Sequence, residues 1–316
     1  MRSLFFLALL LFTSISCSTP VQPSGYRRAK IDAGVEKSIV IEGNSLQYWD
    51  RGEGPVLVLL HGLGGSLYDW RFLFDDFVRA GYRVLALETM GAGYSDKPAE
   101  GDYSIGAHGE RVLQFLKRLK IPKATLIGNS WGGGMSLYVA MNQPQRVERL
   151  VLLAPASMPQ PFPFLFRLLR APVVGPLFAW TTHIAPKGLV ARIGLGRNFY
   201  DAQKIRPEDL QEYAHEMRFP GAIGAMRQTA EQLDFSELLG YSEGFGKVKA
   251  RTLLLWGEND RIIYLSSGKA LHEVMPNSRL FIYPECGHVP HMEYPGMTRD
   301  LILDFLREEA LAIEQN

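Results

Sequence analysis

The sequence has little of several features that would each point to a particular class of protein. It contains only two cysteines, Cys17 and Cys286, and its 34 basic residues almost balance its 33 acidic ones. Because no basic tail or stripe is present, a nucleic-acid partner is not expected. The seven histidines show no H-x-x-x-H spacing, so we expect no metal site. No internal repeat is visible. We also expect no cofactor.

Long apolar runs are also absent, except for one near the N-terminus. Arg2 precedes an unbroken apolar stretch at residues 4–12, and a small, mostly polar segment then leads to Cys17. This is the pattern of a targeting signal, and the run is too short to span a bilayer comfortably. The segment Ser14-Ile15-Ser16-Cys17 resembles a bacterial lipobox, in which the cysteine thiol is acylated and becomes the mature N-terminus. Ser14 departs from the leucine that this pattern prefers.

The lipobox resemblance implies a lipoprotein-type signal peptide at residues 1–17, with Cys17 as the lipid attachment site. Residues 18–36 would follow as a flexible tether. The protein would then be anchored to a membrane of the bacterial cell envelope and face an extracytoplasmic compartment. Two alternatives stay open: a cleaved form that is secreted or periplasmic, and an uncleaved anchor. If Cys17 carries lipid, Cys286 is left alone and no intramolecular disulfide is available.

Beyond this segment, apolar runs of strand type alternate with amphipathic stretches of helix type. Residues 37–42 and 45–49 alternate like an antiparallel hairpin. The later runs are continuously apolar, as strands covered by helices on both faces require, and they lie at residues 56–60, 83–87, 124–127, 147–153, 251–256 and 279–283. Helical spacing occurs at residues 68–80, 104–120 and 296–313. The alternation predicts an α/β fold with a mostly parallel central sheet flanked by helices.

This alternation stops in the middle of the chain, where residues 155–246 show no clear strand. Five helices are predicted there instead, at residues 162–170, 173–182, 186–193, 207–217 and 222–233. We therefore predict a core in two parts, residues 37–155 and 247–316, with a helical cap at residues 156–246 inserted over the carboxyl edge of the sheet. The apolar stretch at residues 162–170 has three interpretations: the cap's own small core, the wall of an apolar pocket, or a membrane-facing lid.

Ser130 lies at a predicted corner between a strand and a helix, with glycines two residues before and two residues after it. The motif is Gly128-Asn129-Ser130-Trp131-Gly132. A serine in a strained backbone conformation needs neighbours without side chains, so that the strand and the helix can approach and the hydroxyl can project. The pattern is that of a G-x-S-x-G nucleophile elbow, and it predicts Ser130 as a nucleophile.

A glycine-rich turn follows the predicted strand at residues 56–60. Its sequence, His61-Gly62-Leu63-Gly64-Gly65, allows backbone N–H groups to point inward. The N–H groups of Leu63 and Trp131 are predicted to form an oxyanion hole. His61 could be proposed as a base, but a hydrogen bond that braces this turn is the commoner role of a neutral imidazole beside turn backbone.

A serine nucleophile also needs a base and an acid that orients it. Glu258 and Asp260 both follow the predicted strand at residues 251–256, and both qualify by type as the acid. His288 follows the last predicted strand, from which a general base can reach over the serine. His291 is a rival base, and its alternative role is that of a hydrogen-bond partner beside the true base.

Two further reactive side chains have structural interpretations. Asp96 lies among glycine and proline, where a carboxylate commonly stabilises a turn. Cys286 lies two residues before His288, but a small buried side chain is the preferred interpretation because the elbow already supplies a nucleophile.

From about residue 54 to residue 311, the chain resembles an α/β-hydrolase with a cap, similar to serine esterases, lipases and carbon–carbon bond hydrolases of that superfamily. The matching motifs are His61-Gly62, the Ser130 elbow, Trp256-Gly257-Glu258-Asn259-Asp260 and Cys286-Gly287-His288-Val289-Pro290-His291. The resemblance implies that Ser130 is the nucleophile, Asp260 the orienting acid and His288 the base. One departure is Glu88-Thr89-Met90, where many relatives have an aspartate followed by a basic residue or proline.

The serine at the elbow rules out the alkyl-enzyme chemistry of haloalkane dehalogenases and epoxide hydrolases of this fold, which use an aspartate there. We expect a hydrolase of carboxylic esters that bear an apolar acyl or alcohol group, acting through an acyl-enzyme. A carbon–carbon bond hydrolase of the meta-cleavage type is an alternative, because its elbow and glycine-rich turn can look the same. A non-catalytic binding protein on the same fold is another. The sequence does not indicate an oligomeric state.

Overall fold

The computed structural model describes residues 22–161, 167, 170–171, 185–233 and 243–308. The predicted signal peptide, Cys17 and most of the predicted cap helices at residues 162–170 and 173–182 lie outside these ranges. Within them, no helix is both long enough and apolar enough to span a bilayer.

Eight strands of the described chain form one sheet. They are β1 (Glu36–Ile41), β2 (Asn44–Arg51), β3 (Val56–Leu60), β4 (Arg83–Leu87), β5 (Ala124–Asn129), β6 (Val147–Leu153), β7 (Arg251–Gly257) and β8 (Ser278–Tyr283). Their spatial order is β1-β2-β4-β3-β5-β6-β7-β8. The pairs β1–β2 and β2–β4 are antiparallel, and all other neighbours are parallel. The predicted hairpin and the predicted mostly parallel sheet are therefore confirmed.

Helices cover both faces of the sheet. One face packs against α3 (Ile105–Arg118), α4 (Trp131–Asn142) and α8 (Leu265–Val274), and the other packs against α2 (Phe74–Arg79) and α10 (Pro295–Arg307). Within β3, Val58 and Leu60 join the first hydrophobic cluster, whereas Leu57 and Leu59 join the second. Because successive strand residues point to opposite faces, an unbroken apolar run is what a strand covered on both sides requires.

Three helices of the predicted cap are described. They are α5 (Lys187–Asn198), α6 (Pro207–Glu216) and α7 (Ala222–Gln232), each within a few residues of its predicted range. The short helix α9 (Pro290–Glu293) follows β8 and leads into α10. The described cap helices therefore agree with the helical periodicity of the sequence.

The predicted tether at residues 18–36 requires a correction. Residues Gly25–Asp32 form a helix, α1, and its Arg27 side chain is 3% exposed. Arg27 Nη1 lies 2.9 Å from Glu88 Oε1, and Arg27 Nη2 lies 2.8 Å from Glu36 Oε1. The polar composition suggested a solvated linker, but these charges are neutralised against the domain.

The helix predicted at residues 68–80 is also interrupted. The structure has a 3₁₀ turn at Leu67–Trp70, and the α-helix begins only at Phe74. The hydroxyl of Ser66 accepts a hydrogen bond from the N–H of Tyr68. Tertiary contact also holds the turn, because the Asp69 carboxylate accepts a 2.5 Å hydrogen bond from Tyr213 Oη of the cap.

Candidate active site

Ser130 joins β5 to α4 in a backbone conformation that is unusual for a residue with a side chain, with φ of 52° and ψ of −114°. Such strain costs about 1–3 kcal/mol and is common at functional sites. A Cβ atom at Gly128 would collide with the backbone of Gly132, and one at Gly132 would collide with the carbonyl of Leu60. The sharp strand-to-helix corner is therefore present, and both glycines of the motif are needed for it.

Asp260 and His288 lie on loops after β7 and β8 and are joined directly. His288 Nδ1 lies 2.7 Å from Asp260 Oδ2, and the other carboxylate oxygen accepts hydrogen bonds from Ile262 N at 2.8 Å and Ile263 N at 3.0 Å. Because an ionised carboxylate only accepts, the proton of the neutral imidazole lies on Nδ1 and Nε2 is left as an acceptor. Glu258, the other acid that the sequence allowed, is exposed.

Ser130 and His288 line the same cavity, here called the main cavity, which has a volume of about 330 Å³. No hydrogen bond joins Ser130 Oγ to His288 within the described ranges. Catalytic hydrogen bonds are often long in an unliganded site and tighten when substrate binds. The loops thus bring the predicted nucleophile and the predicted base to one cavity, with the acid bonded to the base.

The glycine-rich turn also contributes to this cavity. Leu63 lines it, and neither the N–H of Leu63 nor that of Trp131 has an acceptor among the described residues. Trp131 is the first residue of α4, where a helix leaves its N–H groups free. His61 Nδ1 donates to Gly62 O at 2.8 Å, and His61 Nε2 accepts from Thr89 N at 3.1 Å. His61 is therefore occupied in bracing the turn.

The main cavity is mostly apolar. Its described polar side chains are few, and the cap helices supply many of its apolar ones. The apolar side chains longer than alanine are Leu63, Leu189, Val190, Ile193, Leu195, Met217, Ile223, Met226, Ile262, Val289 and Met292. Leu189 and Ile193 are 52% and 54% exposed, so the rim on α5 is apolar as well.

The remaining candidates from the sequence take structural roles. The His291 ring stacks on Trp70 with centroids 4.9 Å apart, and burial lowers its pKa to about 3. Neither ring nitrogen has a hydrogen-bond partner among the described residues, so its interpretation as a hydrogen-bond partner beside the base was wrong. Burial raises the pKa of the Cys286 thiol, which disfavours a thiolate. Asp96 Oδ2 accepts from Ser45 N at 2.7 Å, so this carboxylate ties its loop to β2 rather than bonding within its own turn.

Two residues that hold the base loop were not singled out from the sequence. Asn129 Nδ2 donates to His288 O at 3.2 Å. Glu293 accepts from Gly287 N at 2.6 Å and from Tyr200 N at 3.0 Å, so one carboxylate ties the base loop to the cap. Asn129 stands inside the elbow motif, which is a weak hint, but no local pattern pairs Glu293 with the cap.

The unusual Glu88 lies directly after β4 and is fully buried. It accepts hydrogen bonds from Arg27 Nη1 at 2.9 Å and from Tyr94 N at 2.6 Å. Burial alone would raise the pKa of Glu88, but Arg27 and the backbone N–H of Tyr94 outweigh it and hold the pKa below its ordinary value. The glutamate that departs from the family pattern is thus paired with a cation, Arg27, from the N-terminal helix α1.

A family model described as the alpha/beta hydrolase fold matches residues 55–295. The chain belongs to the α/β-hydrolase family. The match includes the Ser130 elbow and the loops that carry Asp260 and His288, so the fold class predicted from the sequence is confirmed.

Several relatives of this α/β-hydrolase are named as carbon–carbon bond hydrolases. The chain is 30% identical over 261 residues to a 2-hydroxy-6-oxononadienedioate/2-hydroxy-6-oxononatrienedioate hydrolase of Comamonas testosteroni, over 81% of this chain and 89% of that one. It also resembles the structure of a meta-cleavage product hydrolase of Pseudomonas fluorescens, with 25% identity, a TM-score of 0.72, and coverage of 86% and 98%. These names support the carbon–carbon alternative better than the expected ester hydrolase.

A third similarity extends over more of the chain. The structure of a bacterial membrane phospholipase A is 26% identical, with a TM-score of 0.67, and covers 96% of this chain and 97% of that one. The hydrolase assignment is common to all three comparisons, whereas the names of these proteins differ in the bond that is cleaved.

Proposed function

We propose that this α/β-hydrolase cleaves carboxylic esters that carry an apolar acyl or alcohol group. The observation that carries the proposal is the lining of the main cavity, where the described side chains around Ser130 and His288 are mainly aliphatic and methionine. Burying such a chain contributes about 0.8 kcal/mol for each CH₂ group. A cavity of about 330 Å³ accepts a medium-length chain beside the serine.

The proposed chemistry follows from the low acidity of a serine hydroxyl. A serine hydroxyl is a poor nucleophile at neutral pH, so His288 Nε2 takes the proton of Ser130 as its Oγ attacks the ester carbonyl. Asp260 holds the imidazole in the required tautomer. The N–H groups of Leu63 and Trp131 stabilise the oxyanion, an effect of about 3–4 kcal/mol for one such donor. The alcohol leaves with the proton from His288, and water then hydrolyses the acyl-enzyme.

Carbon–carbon bond hydrolysis is the second candidate, and the names of the relatives favour it. A dienedioate or dienoate substrate carries carboxylate, which is costly to bury without a cation. Among the described residues that line the main cavity, Arg197 carries the positive charge and is exposed. The carboxyl group of Asp69 is buried. Burial raises the pKa of Asp69 and favours its neutral form, so an anionic substrate would find no buried cation among the described lining residues. An uncharged ester needs no such cation, which supports ester hydrolysis.

A membrane location is also part of the proposal. The resemblance to a membrane phospholipase A covers nearly the whole chain, and the rim residues Leu189 and Ile193 are apolar and exposed. A lipid anchor at Cys17 would keep the enzyme near membrane esters, whose acyl chains match the main cavity in polarity.

The first test combines active-site labelling with an ester series. A fluorophosphonate should label the wild-type enzyme once and should not label Ser130→Ala, which lacks the nucleophilic oxygen. Ser157→Ala is the matched control, because Ser157 is a buried serine near the elbow that does not line the main cavity, and it should still be labelled. On p-nitrophenyl esters, kcat/KM should rise from acetate toward octanoate because each added CH₂ enters the apolar cavity.

Two results would count against this proposal. Cleavage of a ring-fission dienoate without turnover of any ester would establish the carbon–carbon reaction instead. A folded wild-type protein that takes no fluorophosphonate label would indicate a binding protein without a working nucleophile.

A further inference from the structure

A second, smaller cavity also borders the glycine-rich turn and is here called the side cavity. It has a volume of about 50 Å³, against about 330 Å³ for the main cavity. The two cavities share the turn Gly62-Leu63-Gly64-Gly65 and the cap side chains Met217 and Met226. They also share Tyr213 and Ile223, so the two cavities are neighbours, and the flexible methionines can move to let a bound group extend from one to the other.

The side cavity contains polar atoms that nothing in the described chain satisfies. His108 Nδ1 and Trp131 Nε1 are both buried without a hydrogen-bond partner, and both residues line this cavity. His108 is 2% exposed and Trp131 is 4% exposed. A buried polar group without a partner is costly, and native proteins usually satisfy it with water or a ligand. These two groups therefore point to a polar occupant.

The occupant that fits is small and uncharged. Burial lowers the pKa of His108 to about 3, so its imidazole is neutral and has one donor and one acceptor. Burial, together with the carboxylate of Glu88, raises the pKa of the lining residue Glu216 well above its ordinary value and disfavours its charged form. The indole of Trp131 only donates. A hydroxyl group can accept from the indole and also pair with the imidazole, whereas an ion would lack a counter-charge.

We propose that the side cavity is a subsite for a hydroxyl group on the alcohol part of the ester. This inference rests on the proposed ester hydrolysis and adds the class of alcohol. An apolar chain would leave His108 and Trp131 unsatisfied, and about 50 Å³ holds only about four water-sized groups. The acyl chain occupies the main cavity, and the hydroxyl of a diol-type or glycerol-type alcohol reaches the side cavity.

The test compares esters that differ only in this hydroxyl. The first pair is 2-hydroxyethyl octanoate and propyl octanoate, and the second is 3-hydroxypropyl octanoate and butyl octanoate. The wild-type enzyme should prefer the hydroxylated ester in at least one pair by about tenfold in kcat/KM, as expected for one or two buried hydrogen bonds. Trp131→Phe and His108→Phe should each reduce this preference to about twofold or less.

Trp70→Phe is the matched control, because Trp70 Nε1 is also buried without a partner but Trp70 does not line the side cavity. This variant should keep the preference. If the enzyme hydrolyses both members of each pair equally, or if the preference survives in Trp131→Phe and His108→Phe, the side cavity holds water only and the inference is wrong while ester hydrolysis stands. Failure to hydrolyse any ester would overturn the proposed function as well.

Discussion

Asp260 and Glu258 are two carboxylates only two residues apart, and their surroundings separate them. Asp260 is 5% exposed and its oxygens accept from two backbone N–H groups and from His288, whereas Glu258 is exposed. A carboxylate that is held on both oxygens keeps the imidazole of His288 in one orientation, with its proton on Nδ1. Residue type alone left both acids open, and burial distinguishes them.

Asp260→Asn tests this role against Glu258→Gln. The amide of asparagine can donate to His288 Nδ1 and thereby favour the wrong tautomer, so kcat on p-nitrophenyl octanoate should fall by about 10³–10⁴. Glu258→Gln changes an exposed side chain and should leave kcat within about twofold. Equal losses in both variants, measured by steady-state kinetics at neutral pH, would contradict the assignment of Asp260.

The helix α1 shows how an element that is polar in sequence becomes part of the folded domain. Ser24, just before α1, donates its hydroxyl proton to Glu212 of the cap at 2.7 Å. Arg27 pairs with Glu88 after β4, and its guanidinium lies 3.6 Å from the centroid of the Tyr94 ring. These contacts connect the N-terminal segment to the cap and to the core. Local sequence could not predict this, because the acidic partners are distant in the chain.

Arg27→Met should destabilise the fold by about 3–5 kcal/mol at pH 7, because it leaves Glu88 buried as an unpaired charge. In the wild type the pKa of Glu88 is depressed, so its stabilising contribution is present above the ordinary carboxyl pKa and is lost as the pH falls through the folded-state pKa. The variant can relieve its unpaired charge by protonation, so the difference in unfolding free energy should shrink toward pH 5.

Denaturant unfolding at the two pH values measures this difference. Arg28→Met is the control, because Arg28 is an exposed arginine of the same helix, and its effect should be within about 0.5 kcal/mol. An equal effect of the two substitutions would mean that the Arg27–Glu88 pair does not stabilise the domain.

At the scale of the whole molecule, the described N-terminal segment contacts the cap. Ser24 contacts Glu212 of α6, so the first described residues of the chain lie beside the cap. The exposed rim residues Leu189 and Ile193 belong to the same cap. An anchor placed there would hold the mouth of the main cavity near a lipid surface, which suits an enzyme for apolar esters.

Cys17→Ser tests the anchor in cells. If Cys17 carries the lipid, the variant should lose metabolic palmitate labelling and shift from the membrane fraction to the soluble fraction. The reason is that the substitution removes the thiol to which the lipid is attached. Ser18→Ala is the control and should stay labelled. Membrane retention without labelling in the wild type would indicate an uncleaved N-terminal helix instead.

The sequence by itself determined the sheet, its flanking helices and the elbow, because apolar periodicity and glycine spacing are local properties of the chain. It also determined which residue types could act at the site. The motif resemblance had already named Asp260 as the acid, but only the tertiary structure shows its contact with His288, the contact of Glu293 with both the base loop and the cap, and the packing of residues 25–32 on the core. Those outcomes depend on burial and on contacts between distant segments, which no local pattern encodes.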